Sequence, residues 1–160
     1  MFGRSISDTQ IAYQVANLVN ENNRLHTKYS YAQILEKRQT YLVETIGNLV
    51  VGCAAIEKQG YTISELKHIS VNVQFRRKGI AKTMVEAALA RAKTPIVYAT
   101  VQESNVSSQK LLASCGFTST NKYMTGKRQV LLFVTVAPKW ANLDIKNILD
   151  NIISKNYTIA

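Results

Sequence analysis

The sequence predicts a mixed α/β domain, on three observations. Apolar residues recur at helical spacing near the N-terminus, an alternating stretch from Thr62 to Val73 runs straight into a second helical stripe, and β-rich runs flank both. With 160 residues, 46% of them apolar, the chain is long enough to bury one sizeable core and too short to expect two.

The first element is SDTQIAYQVANLVNENN, where Ser7 and Gln10 have capping-box spacing and Ile11, Val15, Leu18 and Val19 share a face, predicting a helix from about Asp8 to Asn20. Ser30 can cap a shorter helix that buries Ile34 and Leu35 before the polar run EKRQ. TYLVET and LVVGCAAIE, separated by Gly47 and Asn48, predict a hairpin, and Gln59 with Gly60 a further turn. In ISELKHISVNV the alternation sets Glu65, Lys67, Ile69, Val71 and Val73 on one side and Leu66, His68 and Ser70 on the other. QFRRKGIAKTMVEAALARAK follows, with Ile80, Met84, Ala88 and Leu89 as a helical stripe that stops before Thr94 and Pro95. IVYATV is a strand, NVSSQKLLASCGF a short helix closing at Gly116, and STNKYM and QVLLFVTV are strands joined around Thr125 and Gly126. Beyond Pro138, Leu143, Ile145, Ile148, Leu149, Ile152 and Ile153 recur at near-helical spacing, predicting a terminal amphipathic helix that packs on the same domain or forms a dimer contact. The expected organisation is a domain over 1–137 and a helical extension over 138–160.

Composition narrows the function classes. The longest apolar stretches, Leu49 to Ile56 and Val130 to Ala137, fall well short of the roughly 20 residues that span a bilayer. The opening MFGRSISDTQ lacks the apolar core of a secretory signal, so a cytoplasmic location is expected. Cys53 and Cys115 have neither metal-ligand nor disulfide spacing; both are expected as half-buried apolar residues, and no metal is expected. A formal net charge of +10 favours an anionic partner without naming one: nucleic acid or an acidic protein surface would serve.

The segment that carries chemistry is RRKGIA, Arg76 to Ala81, where a strand turns into a helix. The first N–H groups of a helix lack intrahelical partners and sit at the positive end of its dipole, so they suit a phosphate. Gly79 lets backbone approach a ligand closely, and Arg76, Arg77, Lys78 and Lys82 add charge. The competing reading is a solvated basic loop whose glycine serves only its own backbone angles.

In context the stretch resembles the GNAT superfamily of N-acetyltransferases, whose signature is Gln or Arg, two residues, Gly, one residue, then Gly or Ala. Here it is Arg76, Arg77, Lys78, Gly79, Ile80, Ala81, and a second family element is matched by Asn105, Ser108, Leu111, Gly116 and Phe117. The resemblance covers roughly 40–136. It implies a central mixed, mostly antiparallel sheet flanked by helices, and acetyl-coenzyme A as co-substrate. It further implies that Val71, Asn72 and Val73 pair with the pantetheine arm, with the Val71 amide polarising the thioester carbonyl. Arg76, Arg77, Lys78, Gly79, Ile80, Ala81 and Lys82 would hold the pyrophosphate, and Asn105 and Ser108 would line the arm.

Direct attack by an amine needs a group to take its proton and another to protonate the thiolate. Glu65, eleven residues before Arg76, stands where some protein-acetylating members carry their base; His68 is the other candidate, on the opposite strand face. The tyrosine that usually protonates the thiolate would fall at Leu112, which cannot donate a proton, so Tyr123 is the candidate acid, with Tyr98, Cys115, Ser108 and water as substitutes. Three readings follow: acetyl transfer to a primary amine of a protein (lysine or N-terminus) or small molecule; acylation of an amine carried on nucleic acid, such as aminoacyl-tRNA or a DNA base; and a non-catalytic protein that binds coenzyme A or a partner. The chain would act as a monomer or homodimer, with no membrane partner.

Overall fold

The computed structural model describes residues 5–23, 25, 27–142 and 147. Helix α1 (Asp8–Asn22) opens on the expected capping box: the Ser7 hydroxyl accepts from the Gln10 N–H (3.3 Å) while the Gln10 side-chain oxygen accepts from the Ser7 N–H (3.0 Å). Ser30 and Gln33 repeat the device at α2 (Tyr31–Glu36). Strands β1 (Tyr41–Ile46) and β2 (Leu49–Lys58) form the predicted hairpin, paired from Tyr41↔Ala55 to Ile46↔Leu49 with a register shift between Glu44 and Thr45, and Gly47 makes its turn at φ 58. The remaining elements are β3 (Ile63–Val71), α3 (Ile80–Arg91), β4 (Ile96–Gln102), α4 (Val106–Ser114), β5 (Thr118–Thr125) and β6 (Arg128–Val136).

The six strands make one mixed sheet in the order β1-β2-β3-β4-β6-β5. β3 and β4 run parallel; β1 with β2, β4 with β6, and β5 with β6 run antiparallel. The chain divides into two compact units, Met1–Ile56 with Lys67–Ala88 and Glu57–Leu66 with Leu89–Ala160, passing from the first to the second within β2 and back within β3.

In the first unit, Ile11, Val15, Leu18 and Val19 of α1 pack with Ile34, Tyr41, Cys53 and Ala55. Each large side chain buried there contributes about 1.5–3 kcal/mol. Gly52 is required by packing: a Cβ at that position would lie 2.6 Å from Cγ2 of Ile80, the first residue of α3. The absent side chain lets α3 rest directly on the β2 backbone.

In the second unit, Ile96, Tyr98, Leu132 and Val134 form a core cluster, with Ile63, Tyr123, Val136 and Trp140 packed against it. Ser64 and Thr94, both buried, satisfy each other through a 2.7 Å hydroxyl pair. The Ala137 N–H donates to the Pro95 carbonyl (2.8 Å), closing β6 against the start of β4.

Two expectations change. β3 stops at Val71 instead of continuing to Val73, because Asn72 turns the chain into a 3-10 turn over Val73–Phe75. Cys53 is fully buried, which pushes its thiol up to about 12, while Cys115 is half-buried as expected. The residues of the predicted terminal stripe, Leu143, Ile145, Ile148, Leu149, Ile152 and Ile153, lie outside the described residues.

Candidate active site

The end of β3 is shaped by one side chain. The Asn72 N–H donates to the Val51 carbonyl (2.9 Å), and its side-chain oxygen accepts from the Gln74 N–H (3.0 Å), starting the turn that leads into the basic loop. Val73 is exposed on that turn, beyond the strand. Arg76, Arg77, Lys78 and Gly79 are all exposed, with Arg77 at φ 64 and Gly79 at φ 79. Left-handed residues in such a run swing successive N–H groups toward a common side. A Cβ at Gly79 would meet nothing within 4 Å, so the glycine answers to its backbone angle and not to packing.

α3 starts at Ile80, and the Thr83 N–H is bonded to the Gly79 carbonyl (3.0 Å). The N–H groups of Ile80, Ala81 and Lys82 precede that bond and so have no intrahelical acceptor; they point along the positive end of the dipole. The other α-helices open on side chains that accept from their own first turn: Ser7, Ser30 and Asn105. A glycine in that place leaves the α3 amides available to an external anion. Arg77 and Lys82 are exposed around the turn, and the Lys78 ammonium lies 5.4 Å over the Phe75 ring. Arg76 points elsewhere, its Nε donating to the Val71 carbonyl (3.2 Å) and its Nη2 to the Asn22 side-chain oxygen.

Asn105 and Ser108 belong to the second unit, where the Asn105 side-chain oxygen caps α4 by accepting from the Ser108 N–H (3.1 Å). Leu112, at the tyrosine position, is 1% exposed. Its carbonyl accepts from the Phe117 N–H (3.1 Å) after Gly116 reverses the chain at φ 88.

Three of the proton-transfer candidates, Glu65, Tyr98 and Tyr123, lie in the second unit, on one face of the sheet. Glu65 of β3 is the register partner of Tyr98 of β4, and Tyr98 in turn faces Val134 of β6. The β3–β4 pairing ends at Glu65↔Tyr98, so the carboxylate stands at the last rung of that ladder. The Gln59 side-chain amide donates to Glu65 Oε2 (3.1 Å). Tyr98 and Tyr123 pack in the same apolar cluster. Burial, then the charges of Glu65, Tyr123 and Glu57, push the Tyr98 hydroxyl up to about 12. Burial, then Glu65, raises that of Tyr123 against an opposing hydrogen bond to Thr100. Both phenols are therefore protonated at neutral pH and can donate. The fold brings together Glu65, Tyr98 and Tyr123, a carboxylate and two neutral donors within electrostatic reach of one another.

His68 is elsewhere, in the first unit. It sits inside β3 at φ 56, its Nδ1 2.7 Å from the Tyr41 hydroxyl and its ring edge-on to Tyr29 at 4.7 Å. These contacts build it into the packing around α1 and β1. Sequence reasoning missed Gly52, whose one signal is a glycine inside the apolar run LVVGCAAIE. It also did not anticipate that Tyr98 would be the register partner of Glu65.

The model of the acetyltransferase (GNAT) family matches residues 10–117, more than half of the chain. The chain belongs to the GNAT acetyltransferase family. With it comes the class of acyl-coenzyme-A-dependent acetyltransferases, and the matched span includes every site residue named above except Tyr123. No curated protein sequence matches this GNAT chain. Among solved structures it is similar to yncA from Salmonella typhimurium, determined with its cofactor acetyl-CoA: 17% identity, 83% of this chain and 92% of that one covered, TM-score 0.69. It is also similar to a phosphinothricin acetyltransferase from Sinorhizobium meliloti (17% identity, 84% and 86% covered, TM-score 0.68). A third is the ribosomal-protein-S18-alanine N-acetyltransferase from Escherichia coli (16% identity, 83% and 92% covered, TM-score 0.64). At these identities the likeness concerns the fold.

Proposed function

We propose that this GNAT protein moves an acetyl group from acetyl-coenzyme A to a primary amine, with a protein amine as the first acceptor to test and a small amine as the second. The observation that carries the reading is that Glu65 and Tyr98, the last rung of the β3–β4 ladder, share a sheet face with Tyr123 of β5, which packs against the same cluster as Tyr98. In this mechanism the amine nitrogen bonds to the thioester carbonyl carbon and the carbon–sulfur bond breaks. Glu65, directly or through water, takes the amine proton, and Tyr123 returns a proton to the departing thiolate in place of the tyrosine that Leu112 replaces. The open N-terminus of α3, with Arg77 and Lys82 around it, supports a seat for the pyrophosphate. Within the first unit, Val71, the last residue of β3, is assigned to the pantetheine arm. Among the similar structures one is named for a protein alanine and another for phosphinothricin, which leaves both acceptor classes in play.

Calorimetric titration of acetyl-coenzyme A into the unmodified protein and into Gly79→Glu tests the coenzyme seat. The variant places a carboxylate at the pyrophosphate position and a side chain where φ is 79. Binding by the unmodified protein alone supports the reading, and equal binding by both removes the α3 N-terminus from it. Transfer from labelled acetyl-coenzyme A to peptides and to small amines then identifies the acceptor class.

A further inference from the structure

We infer that Arg76 is a positioning residue whose planar guanidinium ties the last turn of α1 to the end of β3, leaving the pyrophosphate to the α3 amides and the other cations. The inference rests on the coenzyme reading above and changes the assignment of one of its residues.

Two guanidinium donors are committed within the first unit. Nε donates to the carbonyl of Val71, the last residue of β3, at 3.2 Å, and Nη2 donates to the side-chain oxygen of Asn22, the last residue of α1. Asn22 is itself oriented for this, because its amide nitrogen donates to the Leu18 carbonyl at 2.8 Å. Asn23 makes a parallel tie one residue on, its amide nitrogen donating to the Ser70 hydroxyl at 2.7 Å and to the Val19 carbonyl at 3.0 Å. Two consecutive asparagines at the helix end therefore hold two consecutive residues at the strand end, one of them through Arg76.

The electrostatics agree. α1 has no basic residue in its last turn, and Arg76, 54 positions on from Asn22 in the chain, brings a cation to the negative end of its dipole. On the strand side, Val71 is held through its carbonyl by Arg76 while the next N–H, that of Asn72, is bonded to Val51. The peptide plane at the strand end is thus fixed from both directions. In the coenzyme reading that plane faces the pantetheine arm, so Arg76 would govern recognition of the arm and not of the phosphates. A lysine could keep the charge but could not span both acceptors with a rigid fork.

The test compares coenzyme A with ADP, which carries the pyrophosphate but no pantetheine, by calorimetry on the full chain and on Arg76→Lys and Asn22→Ala, each checked for cooperative thermal unfolding. The expected result is coenzyme A binding weakened about tenfold in both variants, with ADP binding within about twofold of the unmodified protein. Weakening of ADP in step with coenzyme A in Arg76→Lys would return Arg76 to the pyrophosphate and overturn the inference. So would an Arg76→Lys variant that binds coenzyme A like the parent. If Arg76→Lys does not fold, Asn22→Ala decides on the same two ligands. Failure of the unmodified protein to bind coenzyme A is a different result, which removes the coenzyme reading and this inference with it.

Discussion

Glu65 and Tyr123 are 58 positions apart in the chain, yet both act on the ionisation of Tyr98, a buried residue. In the proposed mechanism Glu65→Gln removes the base, so kcat should fall by about 10²-fold or more while the Kd for acetyl-coenzyme A stays unchanged. Tyr123→Phe should lower kcat with the same unchanged Kd, read by steady-state rates beside calorimetry; a Tyr123→Phe enzyme with full kcat would pass the acid role to Tyr98 or water. Tyr98 also makes a prediction about pH. Its hydroxyl loses a proton near pH 10 when unfolded and near 12 when folded, so between those values the folded state holds more protons and stability falls as pH rises. Thermal midpoints measured from pH 9 to 12 should therefore drop less steeply in Tyr98→Phe than in the parent. His68 is the contrasting residue: a histidine on a strand that the alternation set opposite Glu65, which a positive φ and two tyrosine rings turn into a packing element.

At the scale of elements, function depends on how α3 begins. Its first residue rests on Gly52, so Gly52→Ala should push Ile80 away and destabilise the protein by about 1–3 kcal/mol, measured by chemical denaturation. Adding Ile80→Ala removes the overlapping methyl, and the double variant should lose less than the two single losses added together. Most elements were legible in the sequence because each carries its own punctuation: the boxes Ser7–Gln10 and Ser30–Gln33, the Gly47 turn, and Gly116 after α4. Val73 was placed in β3 because alternation cannot register an Asn side chain that captures the amide two residues later. The seat of α3 was illegible for a related reason, since a glycine in a strand has no period and its partner lies 28 residues ahead.

For the whole molecule, the charge of +10 favours anionic partners, and salt dependence separates one kind from another. If the amine were carried on nucleic acid, the logarithm of acceptor affinity would fall steeply with the logarithm of salt concentration. The expected outcome for a protein or small-amine acceptor is a shallow salt dependence of its KM between 50 and 200 mM, to the order of magnitude at which phosphate contacts lose their affinity. Among the described residues no helix is long and apolar enough to cross a membrane.

The sequence by itself determined the α/β class, the order of helices and strands, and the loop from Arg76 to Ala81 that marks the family, because periodicity, caps and short motifs are local in the chain. Only the tertiary structure decided which chemistry shares a face. Register brings Glu65 beside Tyr98, packing brings Tyr123 to the same cluster, and a reach of 54 positions draws Arg76 to Asn22. Pairings of that kind depend on strand register and backbone turns summed over many residues, and no local pattern encodes the sum.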